Sequence, residues 1–475
     1  MKSRDFANYS SLAHFAQYSA LKNHRALLIV RPTTGRTVLF FSFDFVPEIS
    51  GLGILDYLLK DCGDGCKLGA VFEKQGDSLP MERTINRASR LAAGRLAHVG
   101  AAALLVLLAI SPTLAARVPP KTPAFKLLYA FKSGTDGEVP YTGLIRDAAG
   151  TLYGTTAAGG LYGLGTIFQV DKAGTETVLY SFTGESDGGI PQFSKLILDA
   201  GGNLYGTTSS RYGTVFRLNR DRSLTVLYTF SGPDGASPSL AFRDAAGTFY
   251  GICGYGGAHN YGVVFKLDSS GKEIALYNFW GGADGGFPNS GLVRDDAGNF
   301  YGTTSTGGTG YGYGAVFRLD KNGKEVVLHR FAGDLADGKN PYAGLVRDPS
   351  GNLYGTTYGS GAYGYGTVFR IDRAGKETIL HNFAGGTDGK HPFSGVILDR
   401  AGNLYGTTLY GGTLKRGIVF KLEASGRGTV LHSFTGLGGK KPREALILDA
   451  AGNLYGTTPV GGAPRHGTVF KLTSK

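Results

Sequence analysis

The chain has 475 residues, 77 of them glycine, and a formal net charge of +12 from 49 basic and 37 acidic side chains. A moderate basic excess does not by itself indicate nucleic acid. Of three cysteines only Cys253 lies beyond residue 116, so that part of the chain cannot form an internal disulfide.

In chain order, residues 1–80 show no clear period, and the CGDGC spacing of Cys62 and Cys66 is too weak to argue for a metal. From Met81 the text changes. Arg83, Arg87, Arg90 and Arg95 precede an apolar run from Val99 to Ile110, then Pro112 and the small-residue site Thr113-Leu114-Ala115. This is the three-part layout of a secretory signal peptide, with an apolar core too short for the roughly 20 residues that span a bilayer. The expected organisation is an upstream extension that is not normally translated over 1–80, a signal peptide over 81–116, and a mature chain over 117–475. The mature chain shows no hydrophobic tail or sorting motif, so a secreted or periplasmic protein without a membrane span is expected, and a monomer.

Beyond residue 117 the stretch LYGTT, or a close relative, recurs with its tyrosine at 153, 205, 250, 301, 354, 405 and 455, at intervals of 45 to 53 residues. A period near 50 signals a repeat architecture. The unit from Ala343 to Phe383 contains four short runs, GLVRD, NLYGTT, GTVFRID and ETILHNF, here named a, b, c and d. Their β-branched and aromatic content and their length are those of strands. Asp/Gly turns join a to b and c to d, so both pairs read as hairpins. Seven four-stranded antiparallel meanders predict an all-β, seven-bladed β-propeller. The repeats begin with a lone d-type run, FKLLYAF at 125–131, and end with a lone c-type run at 467–475. The N-terminal strand therefore completes the last blade and removes an open edge.

In such a meander the b–c and d–a loops share one face, and here they are the long ones. Binding groups are expected there. Six d–a loops carry Asp-Gly, at Asp136, Asp187, Asp234, Asp284, Asp337 and Asp388. One copy per blade favours a turn over a catalytic or calcium site. The b–c loops are rich in tyrosine, at 162, 255, 261, 311, 313, 363, 365 and 410, suited to sugar or protein surfaces. The repeat symmetry breaks at a basic group: Lys415, Arg416, Lys440, Lys441, Arg443, Arg465 and His466, beside Tyr410. These eight are the candidate ligand-binding residues. His329, His381 and His432 stand where other units have Tyr180, Tyr228 and Tyr277, and read as replacements for tyrosine.

The D-x-x-G-N turn before LYGTT, the Gly-rich loop and GTVFKL, as in DAAGNLYGTT at 449–458 and GGTLKRGIVFKL at 411–422, closely resemble the GloVer tandem repeat family of bacterial exported proteins. The resemblance covers about 125–475. It implies an exported repeat protein and carries no catalytic residue. Signatures such as GxSxG, HExxH or a P-loop are absent, no cofactor is expected, and metal binding is left open. The reading is a non-catalytic binding module for an extracellular glycan, an anionic one above all, or a cell-surface protein. The alternatives are a polysaccharide lyase or hydrolase and a structural surface protein. An enzyme would need distinctive polar residues on the inner strands, near Leu144, Leu196, Leu240, Leu292, Leu345, Val396 and Leu446, and those runs read as alike and apolar.

Overall fold

A computed structural model of the protein describes residues 24–32, 39–44, 66–74, 123–192, 195–289, 291–308 and 312–473. The expected signal peptide lies outside them. The chain divides into two compact units, Met1–Arg117 and Val118–Lys475. In the first, His24–Pro32 pairs antiparallel with Leu39–Asp44 on one side and Cys66–Lys74 on the other. The sequence reading did not anticipate these strands. Among the described residues no helix is long and apolar enough to cross a membrane.

The second unit is a ring of seven four-stranded antiparallel sheets, the fourth extended by a short added strand, Gly286–Pro288. Blade 1 shows the common form: Ile145–Arg146, Leu152–Thr156, Thr166–Val170 and Glu176–Ser181 as strands a to d. Strand a is two residues long in every blade but the third, where it runs Ala236–Arg243. Strand c is buried on both sides, four of its five residues in blade 1 being fully enclosed, which is why it reads as a near-continuous apolar run. The glycine of LYGTT has a packing reason. A Cβ on Gly154 would come within 2.7 Å of the Phe168 ring on strand c, and the same clash recurs at Gly206, Gly302, Gly355, Gly406 and Gly456. In each blade a β-bulge shifts the c–d register, as between Ile167 and Phe168. Two consecutive d-strand side chains, Leu179 and Tyr180, thereby pack into the same core.

Closure occurs as the sequence predicts. Ala124–Ala130 pairs antiparallel with Thr468–Thr473, with Phe125 opposite Leu472 and Tyr129 opposite Val469. Seven hydrophobic clusters fill the seven junctions between blades. The cluster of Phe131, Leu144, Phe168 and Val469 joins the last blade to the first.

Candidate functional site

The long loops are stitched to one another on one face. Each d–a loop pairs with the b–c loop of the blade it enters, through Glu138 and Ala158, Lys390 and Tyr410, and Lys440 and Val460. Each also donates a backbone N–H to the preceding b–c loop: Val139 to His466, Ile190 to Leu164, Ser237 to Tyr212, Phe287 to Tyr261, Asn340 to Tyr313, His391 to Tyr365 and Lys441 to Arg416. These seven residues all precede a proline and all have φ between 52° and 59°. For the β-branched Val139 and Ile190 that conformation is strained. It persists because the surrounding hydrogen bonds over-determine it.

The Asp-Gly carboxylates are hydrogen-bonded to their own loop and to the end of strand d. Asp187 accepts from the Tyr180 hydroxyl at 2.9 Å, the Thr183 amide at 2.8 Å and the Thr183 hydroxyl at 2.6 Å. Asp136 is held by Tyr129 and the Lys132 amide, Asp234 by Tyr228 and the Ser231 amide, and Asp284 by Tyr277 and the Trp280 amide. In blades 4 and 5, His329 and His381 take the tyrosine place opposite Asp337 and Asp388. The d–a loop that leaves blade 6, the seventh in chain order, lacks Asp, and His432 in front of it has a buried Nε2 with no partner. Burial pushes its pKa down to about 4, and its ring stacks on Phe125 at 4.1 Å.

The basic group assembles in part. Lys441 holds its ammonium 5.1 Å from the centre of the Tyr410 ring, and its amide bonds the Arg416 carbonyl. The Arg416 guanidinium bonds the Thr435 carbonyl. Tyr410, Arg416 and Lys441 are therefore one assembly, with Lys440 beside them on the bridge to Val460. Lys441 covers Tyr410, so this ring positions a cation instead of offering a free face. Lys415 and Arg465 are exposed tips of matching turns, each donating its amide to a glycine carbonyl three residues back. His466 is engaged: its Nδ1 lies 2.6 Å from a Glu138 carboxylate oxygen. Arg443 lies elsewhere, 5.2 Å from the Tyr141 ring centre and 5.1 Å from that of Phe393. Tyr141, Tyr342, Phe393 and Arg443 occupy one repeat position just before strand a, and Tyr342 stacks on Phe393 at 5.2 Å. Arg443 thus belongs to an aromatic arc at the axial end of the loops.

Tyr162, Tyr255, Tyr261 and Tyr363 are exposed on b–c loops; Tyr311 lies outside the described residues. Sequence reading passed over two features here. Trp280, the single tryptophan, is 65% exposed and stacks on His259 at 3.4 Å. The inner runs are also not all alike. Lys195 and Glu444 stand one and two residues before their inner-strand leucines, where the other blades carry small or uncharged residues. The Lys195 stem lies 3.0 Å from where a Cβ on Gly143 would be. Lys195 of blade 2 and Glu444 of blade 7 interact electrostatically past blade 1. Crowding by protein pushes the Glu444 carboxyl up to about 8, against the opposing pull of Lys195 and Arg443. It also lowers the Lys195 pKa, although Lys195 remains exposed to solvent. The pair thus sits in a narrow wet opening instead of a dry core. A charge there could have been found by aligning the seven a strands residue by residue.

No curated protein matches the chain. Among solved structures it is similar to the extracellular domain of a protein assigned as a one component system from B. thetaiotaomicron, at 13% identity and a TM-score of 0.48. That match covers 74% of this chain and 40% of the other, so the chain spans less than half of that protein's length. A gluconolactonase from Xanthomonas campestris is similar at 17% identity and a TM-score of 0.37, covering 74% of this chain and 89% of the other. Likenesses this distant carry no functional argument. The model of the Gloeobacter/Verrucomicrobia repeat matches residues 114–312 and 293–475, and the chain belongs to that repeat family.

Proposed function

We propose that the protein is an exported, non-catalytic binding module that takes an anionic extracellular glycan on its long-loop face, across blades 6, 7 and 1. The observation that carries this reading is the placement of two cations by aromatic rings, Lys441 over Tyr410 and Arg443 between Tyr141 and Phe393. Among the described residues no carboxylate lies within ion-pair distance of Lys415, Lys440, Lys441, Arg443 or Arg465. Cations already ordered by rings lose less freedom on meeting a carboxylate or sulfate. The d–a loop that carries Lys440 and Lys441 is also the one without Asp-Gly, so a repelling charge is missing where an anion would approach. Export belongs to the same proposal, with the mature chain expected to begin at Ala116 or Arg117.

The test replaces Lys415, Arg416, Lys440 and Lys441 with Ser and measures binding to uronate-containing and neutral polysaccharides. The parent is expected to prefer the uronate polymer and to lose it as salt shortens the screening length below about 8 Å. Equal binding by parent and variant, or salt-independent binding, would overturn the reading.

The Lys195–Glu444 pair favours a second reading, an enzyme acting on polysaccharide in the central opening. A carboxyl that stays protonated at neutral pH can serve as a general acid. Release of reducing or unsaturated ends by the parent but not by Glu444→Gln, in the same assay, would select this reading over the first.

A further inference from the structure

Every junction between blades is built from three matching positions: the Tyr or His near the end of strand d, the d–a loop aspartate, and the first residue of the next strand d. At the junction of blades 7 and 1 these are Tyr129, Asp136 and Glu176, and tyrosine, aspartate and glutamate recur at the 2/3 and 3/4 junctions. At the 1/2 junction Leu224 replaces the glutamate, and the crevice opens into a cavity of about 550 Å³ lined by Tyr180, Asp187, Leu224 and Val226 among others. At the 5/6 junction His381 and Asp388 face Gly428. At the 6/7 junction the aspartate is missing and Phe125 stands in the glutamate place, stacked on His432. Only at the 4/5 junction do an imidazole and two carboxylates coincide, as His329, Asp337 and Glu377.

Their donor atoms all lie within 4.8 Å of one another. The residues come from three separate segments, two in blade 4 or its exit loop and one in blade 5. His329 is half-buried, Asp337 is buried at 8% exposure, and a Glu377 carboxylate oxygen is buried with no hydrogen-bond partner, as is that of Glu176, Glu273 and Glu325 at the junctions that carry tyrosine in place of His329. The spacing departs from that of the matching pairs. The tyrosine hydroxyls meet their aspartates at 2.6 to 3.0 Å and His381 Nε2 meets Asp388 at 3.1 and 3.2 Å, whereas His329 Nε2 stands 3.3 and 3.4 Å from the two Asp337 oxygens. Ligands about 2.0–2.1 Å from a tetrahedral ion are about 3.3 Å from each other. Asp337 also accepts amide bonds from Ala332 at 2.7 Å and Gly338 at 2.6 Å, which orient it as an outer shell orients a metal ligand.

We propose that His329, Asp337 and Glu377 bind one zinc-class divalent ion that clamps blade 4 to blade 5, with water completing its shell. One imidazole with two carboxylates is a donor set that zinc accepts. The ion would neutralise two carboxylates held side by side in a half-buried crevice.

The experiment uses the full chain, stripped with chelator and titrated with zinc chloride by calorimetry, and with Co²⁺ for its visible d–d bands. One equivalent of zinc, a tetrahedral Co²⁺ spectrum and a raised Tm are expected. His329→Tyr installs the residue that blades 1 to 3 use, so it should fold and let its hydroxyl bond Asp337 while binding zinc at least about tenfold more weakly. Gly428→Glu supplies the missing carboxylate beside His381 and Asp388 and should add a second equivalent. A parent that takes up no stoichiometric zinc, or a folded His329→Tyr chain that binds it as the parent does, would overturn the proposal.

Discussion

Two aspartates recur in the unit and fix its opposite ends. The one in the a–b turn accepts the LYGTT tyrosine hydroxyl, as Asp199 does from Tyr205 at 2.9 Å; the one in the d–a loop accepts the strand-d tyrosine. The second sits beside the glutamate of the next blade, and burial followed by that aspartate pushes Glu273 and Glu325 up to about 7 and Glu176 to about 8. Their folded values lie above the ordinary 4.5, so the folded state holds protons that the unfolded chain releases. That contribution is complete below about pH 4.5 and is lost as pH rises through 7 to 8. His432 works in the opposite sense: held near 4, it contributes fully above its ordinary 6.5 and loses this as pH falls toward 4. Three glutamates, Glu176, Glu273 and Glu325, outweigh one histidine and Glu444 acts in their sense, so calorimetry on the chelator-stripped chain should give a lower Tm at pH 8 than at pH 5. Changing Glu176, Glu273 and Glu325 to Gln should reduce the slope of the profile, and a Tm rising from pH 5 to 8 in the parent would refute the assignment. The pairing of His329 and His381 with the Asp-Gly carboxylates was half legible, since histidine stands at the tyrosine position in each unit. The glutamate partners were not, because each lies about 40 residues downstream and meets its aspartate only across a junction.

At the scale of the element, strands b, c and d follow from their short β-branched and aromatic runs, and both hairpin turns from Asp and Gly. The bulge in each c–d pair was hidden, because ETVLYS reads as an unbroken strand although Leu179 and Tyr180 both enter the core. The left-handed residue before each proline was hidden for a stronger reason. Val139 and Ile190 are among the least suited residues for that conformation, and no local rule would place them in it. Their geometry is imposed by the carbonyls of the preceding b–c loop. This ties the d–a loops to the blades on both sides, so the cations on the loops are carried by a braced rim. Lys441 and His391 are two of these left-handed residues, and both lie against Tyr410. The basic group was visible in sequence as a loss of symmetry. Its division into a Lys441–Tyr410 assembly and an axial Arg443 was not, since that depends on which way each loop turns.

At the scale of the molecule, seven blades have seven packed junctions, where an open array of seven would have six. The extra junction depends on a strand from the other end of the chain. Phe125, Leu128, Tyr129 and Phe131 come from the N-terminal segment, and they fill the clusters on both sides of the last blade. Phe131 is fully enclosed, and its ring meets Phe168 of the first blade at 5.0 Å. Deleting 117–131 would leave the edge of Thr468–Thr473 unpaired and uncover apolar surface on both neighbouring blades. Three or four large apolar side chains are worth on the order of 5 kcal/mol of burial, and an exposed strand edge invites pairing with another chain. The truncated protein is therefore expected to melt well below the parent or to aggregate, as read by calorimetry and light scattering. A truncated chain that stays monomeric and melts with the parent would mean that the ring does not depend on this strand. The same closure explains how a propeller whose one cysteine, Cys253, is free can hold its shape without a disulfide: its two ends lock each other through backbone pairing over six registered residue pairs.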